Sequence, residues 1–264
     1  MASAEPAPRE GRKGRRKVIA ATVIVILILA VGTVTALVLL PGSHAPTVTH
    51  MGQVFAQLPY SPMPFFQKFT SATWAENETT SINGTTSVTT LAAKIALVGH
   101  PTLNGSQTTE IAVYVASSEG GLAHTTPSLT LWYNPTGTLV QAFNGAQTVT
   151  DSLGNPAQGM AESSPAGSIL ALIYEMDGFM PYGFFYTVGI HSIASGAKMM
   201  GTTSVDLTNY TLDSPVAVSP TGTLNSLSVS IGHAGSATFI ASLSLSVVQG
   251  NDSTTAELQM TSIS

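Results

Sequence analysis

The chain has 264 residues, a net charge of −5, no cysteine and only 9% charged residues. Without cysteine, disulfides, thiol catalysis, a lipidated-Cys anchor and Cys-type zinc sites are excluded. The charge is divided unevenly: residues 1–17 carry six Lys/Arg and two Glu, whereas residues 41–264 carry three Lys and twelve acidic groups. Phosphate binding needs Lys and Arg, so the acidic part does not suit nucleic acid or anionic headgroups.

Residues 18–40, "VIAATVIVILILAVGTVTALVLL", hold no charge. As a helix they would span roughly 35 Å, enough to cross a hydrocarbon core of about 30 Å. The basic flank lies on the N-terminal side only, so the positive-inside rule predicts a cytoplasmic tail (1–17), a single-pass transmembrane helix (18–40) and an outer segment. Two readings compete with this one. The first is a cleaved signal with "SHA" (43–45) as its cut site; the second is an archaeal-type prepilin cut after Gly14. Residues 41–50 read as a stalk and 51–264 as an extracytoplasmic β-rich domain, large enough to fold on its own core.

A short helix is expected near 50–58. From residue 84 onward the dominant signal is strand. "TEIAVYVA" (109–116) alternates Ile111, Val113 and Val115 with Ala112, Tyr114 and Ala116. "FIASLSLSV" (239–247) predicts Phe239, Ala241, Leu243, Leu245 and Val247 on one face, and "AELQMTS" (256–262) pairs Leu258 with Met260. "NPTGTL" (134–139) and "SPTGTL" (219–224) read as matching hairpin turns; "GHPTLNG" (99–105) and "VQGND" (248–252) supply two more. "SSPAGSILALIYEMDG" (163–178) predicts an amphipathic helix. Ser164 would be its N-cap, Pro165 would open it, Ile169, Leu172, Ile173 and Met176 would form the apolar stripe, and Gly178 would end it. The predicted fold class is therefore α+β, mainly antiparallel β: a curved sheet or half-barrel with one or two packed helices, plus the N-terminal transmembrane helix.

Catalytic signals are sparse, and no enzyme activity, cofactor or metal site is expected. "SGAK" (195–198) matches a Ser-x-x-Lys pattern but lies between strand-like runs and reads as a plain turn. Glu175 and Asp177, two apart on the predicted helix, do not face each other. His44, His50, His100, His124, His191 and His233 are scattered, with His100 and His233 assigned to turns. Trp74 and Trp132 read as packing residues. Five Asn-x-Ser/Thr sites, at Asn77, Asn83, Asn104, Asn209 and Asn251, are glycosylation candidates, and all lie beyond the apolar segment.

Aromatic residues are the one concentrated feature. "FMPYGFFY" (179–186) and "YSPMPFFQKF" (60–69) hold nine of the eighteen aromatics. Three readings compete: solid core, the wall of an apolar cavity, and an exposed patch for a partner or membrane surface. The candidate wall comprises Phe65, Phe66, Phe179, Tyr182, Phe184, Phe185 and Tyr186.

The order of elements resembles a family. A helix is followed by "SGAKMMGTTSVDLTNYTL" (195–212), with Gly201, Val205 and Leu207 in its middle, and then by the closing run 227–264. "FQKFTSATW" (66–74) is similar to the lead into a first strand. This layout resembles the LppX/LprG group and the wider LolA-like lipoprotein carriers. The resemblance implies a curved antiparallel half-barrel closed by helices, with lipid acyl chains between them. It implies a membrane-anchored domain that holds or transfers an apolar, lipid-like ligand. A structural or adhesive surface protein, including a pilin-like filament subunit, is the alternative.

Overall fold

The computed structural model describes residues 49–117, 121–122, 126–150, 166–174 and 188–264. The expected tail, transmembrane helix (18–40) and most of the stalk lie outside them. Among the described residues no helix is long and apolar enough to cross a membrane.

Two short helices open the described chain, α1 (Met51–Phe55) and α2 (Met63–Phe66). The Gln53 side chain turns back to accept from the backbone N–H groups of Thr49 and His50, at 2.7 and 3.1 Å. That satisfies donors that a helix start leaves open. Residues 49–51 also pair with 188–190: Met51 N–H donates to Val188 O, and Ile190 N–H to Thr49 O. Pro64 falls within the first turn of α2, where a missing N–H costs nothing.

Fourteen strands follow among the described residues. They are β1 (Ser71–Ile82), β2 (Thr85–Gly99), β3 (Thr102–Leu103), β4 (Ser106–Gln107), β5 (Thr109–Ala116), β6 (Leu129–Tyr133) and β7 (Leu139–Asn144), then β8 (Gln147–Thr148). After the one-turn helix α3 (Gly167–Leu170) come β9 (Ile190–Met200), β10 (Thr203–Leu212), β11 (Val216–Ala217), β12 (Gly222–Ala234), β13 (Ala237–Gln249) and β14 (Asp252–Ile263). Twelve of them form one sheet in the order β8-β7-β6-β5-β2-β1-β14-β13-β12-β10-β9, with β11 on the side of β12. Every described pairing is antiparallel. The mainly antiparallel fold class expected from the alternation is thus present, as an open sheet.

One half of this sheet curls strongly. Three strands separate β9 from β14, so in a flat sheet they would lie roughly 19 Å apart. A Cβ placed on Gly201, in the β9–β10 turn, would nevertheless sit 3.4 Å from the Ile263 carbonyl oxygen at the end of β14. The apolar side chains inside this curl and beneath α1, α2 and α3 form one continuous core.

The expected turns are where the sequence placed them. In the first, Asn134 Oδ1 accepts from the N–H groups of Thr136 and Thr138, and Gly137 takes φ +84°. The second joins β11 to β12, with Val218 N–H donating to Gly222 O.

Four expectations are corrected. The segment 166–174 is a single helical turn plus tight turns, not the middle of one amphipathic helix over 163–178; Ser164, Pro165, Met176 and Gly178 lie outside the described residues. Ile169, Leu172 and Ile173 are buried as expected, but so are Leu170, Ala171 and Tyr174. A segment enclosed on all sides has no solvated face. Phe239 does not share a face with Leu243 and Leu245. The β12–β13 register shifts between Ser230 and Ile231, leaving Ala241 as an extra residue, and a bulge inverts the alternation. "SGAK" is in the middle of β9, with Ser195 opposite Thr208 and Lys198 opposite Val205, and is not a turn. His233 belongs to β12, opposite Thr238, and its Nδ1 lies 3.1 Å from the Thr238 hydroxyl.

Candidate functional site on the inner face of the sheet

β1 pairs with β2 without interruption from Ser71 to Ile82, so its side chains alternate strictly. Ala72, Trp74, Glu78 and Thr80 are buried, and Glu76 shares their face. The register with β2 sets Leu91 opposite Glu76 and Thr89 opposite Glu78. On the other side β14 sets Leu258 and Ala256 opposite them. One strand further, Leu243 and Leu245 of β13 continue the same rows. Two carboxylates are therefore set in an apolar stretch of the inner face, roughly 7 Å apart along the strand.

Glu78 is only 4% exposed, and its Oε1 accepts from the Thr80 hydroxyl at 2.8 Å. Burial pushes the Glu76 carboxyl up to about 7, and the negative charge of Glu78 adds to the shift. None of the strand lysines among the described residues shares this face, and Lys68, after α2, reaches toward Gly235 in the β12–β13 turn. Lys94 is opposite Thr73 and so has the other parity, while Lys198 is on β9. Near neutral pH the Glu76 carboxyl keeps its proton for part of the time. It can donate to one polar group and accept from another. Among the described residues no group of three or more His, Cys, Asp or Glu is arranged to hold a metal.

This pair was missed in the sequence reading, although a signal existed. In "ATWAENETT" the residues at every second position are Trp74, Glu76, Glu78 and Thr80 after Ala72, so an acidic pair follows a large apolar residue on one strand face.

Of the predicted aromatic wall, the structure describes Phe65 and Phe66. Both are buried, Phe65 completely. The Phe65 ring meets those of Phe66, Phe69 and Phe239 at centroid distances of 5.3, 5.2 and 5.7 Å. The edge-on contacts with Phe66 and Phe239 suit the ring quadrupoles. Phe239 has room because Gly232 has no side chain: a Cβ there would be 2.6 Å from Phe239 Cε2. These rings form a packed cluster where α2 covers the end of β13. Phe179, Tyr182, Phe184, Phe185 and Tyr186 lie outside the described residues, as do Glu175, Asp177, His44 and His124.

The glycosylation candidates occupy different settings. Asn83 and Asn104 sit in tight turns with φ +51°, each before a glycine, and are exposed; Asn251 is exposed at the β13–β14 turn. Asn77 is exposed in β1, where its Oδ1 accepts from the Thr90 hydroxyl. Asn209 is half-buried, and its Oδ1 accepts from Ser230 Oγ at 2.6 Å.

One further charged contact stands out. His191 Nδ1 lies 2.6 Å from Asp213 Oδ1 at the surface, beside Gly189, where a Cβ would meet Asp213 Oδ2 at 2.8 Å. The pair clips the start of β9 to the end of β10.

No family model matches the chain, and no curated protein does. Among solved structures it is similar to a candidate lipoprotein from Parabacteroides distasonis, at 7% identity over 79% of this chain and 98% of that one, with a TM-score of 0.22. A DUF1329 family protein from Desulfovibrio piger gives 5% identity over 79% and 88%, at 0.21. A candidate outer membrane lipoprotein-sorting protein domain from Vibrio parahaemolyticus gives 6% over 77% and 91%, at 0.22. Superpositions this poor carry no argument about function.

Proposed function

We infer that the chain is a membrane-tethered, extracytoplasmic binding module that holds an apolar, lipid-like ligand against the inner face of its sheet. Residues 18–40 serve as the anchor, the basic tail stays in the cytoplasm, and the β-rich domain lies outside. The supporting observation is the apolar stretch around the acidic pair. Leu243 and Leu258 are opposite one another and only partly buried, and Val247 continues the row on β13. An apolar guest would gain roughly 25 cal/mol per Å² of surface that it withdraws from water here. The protonated Glu76 beside Leu258 offers a hydrogen bond to a polar end of the guest.

Extraction of the purified full-length protein with organic solvent, followed by mass spectrometry, tests this reading. A lipid-like species recovered in stoichiometric amount from the wild type, and depleted from Leu258→Glu, is expected. Protein that is folded and yields no such species in either form would overturn it.

A second reading, as a structural or adhesive surface subunit, is favoured by β9. Its residues His191–Met199 are all exposed, Ile193 and Met199 by more than half, and β9 is the end strand of the sheet among the described residues. Such an edge is open to strand pairing. Concentration-dependent association that Ile193→Lys abolishes would support it.

A further inference from the structure

We propose that residues 41–48, the stretch leading into Thr49, lie along the free edge of β9 as one further antiparallel strand and close that edge to other chains. This needs no guest on the inner face, and it takes away the open edge on which a filament or adhesive subunit would rely.

That edge is already occupied at its start. His50 and Gly189 form an antiparallel bridge. Met51 N–H donates to Val188 O at 3.0 Å, and Ile190 N–H to Thr49 O at 2.9 Å. Gly189 O accepts from Asp213 N–H, so β10 lies on the opposite side. Residues 49–51 are thus seated on the side of β9 that faces away from β10. Antiparallel partners run in opposite directions, so the chain before Thr49 heads along β9 toward Met199. Beyond Ile190 no described residue pairs with this side of β9, and His191–Met199 are all exposed. Residues 41–48 bring eight residues to those nine.

Ladder parity agrees with the sequence. In an antiparallel ladder the backbone groups of every second residue point to the same neighbour. Thr49 and Met51 turn theirs toward β9. Thr47, Ala45 and Ser43 then do the same, while Val48, Pro46 and His44 turn away. Pro46 falls where a missing N–H removes no ladder bond, and Pro41 falls at the first residue of the strand. Both are positions at which a sheet tolerates proline. The segment carries no Asp, Glu, Lys or Arg, so it does not repel Lys198, the one lysine of β9. A bare edge invites pairing with other chains. A segment tethered by the pairing at 49–51 meets this edge at a high effective concentration, which a second copy lacks.

Continuing the bridge register sets Thr47 opposite Ser192. The bulge residue Ile193 follows, so Ala45 comes opposite Ala194 or Ser195. Opposed residues have Cα atoms about 5.5 Å apart, within disulfide range. The chain has no cysteine, so introduced pairs report cleanly. Full-length Ala45→Cys/Ala194→Cys and Ala45→Cys/Ser195→Cys proteins, dilute and in detergent micelles, are oxidised mildly and digested for peptide mass spectrometry. We expect an intrachain disulfide in at least one of them. None is expected in Ala45→Cys/Ser228→Cys, whose second site is exposed two strands inward on β12. A disulfide between two chains would show that a second copy fills the edge, and would overturn the proposal; so would the absence of any disulfide from both edge pairs. Hydrogen exchange of the β9 amides gives an independent reading without cysteines. Ala45→Pro removes a donor aimed at β9 and should speed exchange there, whereas His44→Pro, whose N–H points away, should leave it unchanged. Equal exchange in the two variants sinks the idea.

Discussion

The indole Nε1–H of Trp74 donates to the carbonyl oxygen of Ile240 at 3.1 Å, across 166 residues of sequence. Ile240 N–H in turn donates to the Leu172 carbonyl at 2.6 Å. The β13–β14 ladder stops at Ser242 opposite Gln259, so both backbone groups of Ile240 would otherwise lack a partner on that side. Trp74 from β1 and the segment after α3 complete the ladder, and so lock three distant parts of the chain together. Trp74→Phe keeps most of the buried ring but orphans the Ile240 carbonyl. A loss of about 1–3 kcal/mol is expected, because a buried group left unpaired bears its full desolvation cost. Urea unfolding of the two proteins measures it; equal midpoints would show that the bond adds nothing.

Stability should also fall as pH rises. The Glu76 carboxyl goes from 4.5 in the unfolded chain to about 7 when folded. Between those values the folded state binds more protons than the unfolded state. The contribution is therefore complete below about 4.5 and is lost as pH climbs through about 7. At 1.36 kcal/mol per pH unit, the rise from 4.5 to about 7 sets an upper bound of roughly 3–4 kcal/mol. Denaturation midpoints taken from pH 4 to pH 8.5 should fall for the wild type, and Glu76→Gln should remove most of that slope. A wild-type curve that rises over this window would contradict the assignment.

Gly232 and Gly99 make a matched pair. A methyl on Gly232 would stand 2.6 Å from Phe239 Cε2 and 2.9 Å from Val205 Cγ1, whereas one on Gly99 would meet nothing within 4 Å. Gly232→Ala should cost about 1–3 kcal/mol through overpacking. Gly99→Ala should stay within about 0.5 kcal/mol. Thermal melts of both decide the matter, and a neutral Gly232→Ala would mean that the ring moves freely aside.

Phe65 tests the aromatic cluster. Fully buried and in contact with three rings, it should cost about 3–5 kcal/mol when cut to alanine. A residue lining an empty pocket would lose much less. A Phe65→Ala protein as stable as the parent would return Phe65 to the wall of a cavity.

Much of this molecule was legible in the sequence, wherever the signal is local. Alternation in β14 places Ala256 and Met260 inside and Glu257 and Gln259 outside, because a strand's side chains reverse at every residue. The turns at Asn134–Gly137 and Ser219–Gly222 follow from what proline and glycine permit in φ. The uncharged run 18–40 is likewise a property of composition. What depends on partners was decided by the tertiary structure alone. The bulge at Ala241 is a mismatch between two strands, and no single strand's pattern contains it; yet it sends Phe239 to the side where α2 covers it. The segment 166–174 carries a helical spacing, yet only α3 within it is helical and almost every residue of it is buried, which no local pattern foretells. Glu76 and Glu78 look like ordinary surface acids in a polar stretch. They acquire chemistry only because β2, β14 and β13 bring leucines and, among the described residues, no cation to their face, and a charge is costly to keep where burial thins its hydration and no opposite charge is near.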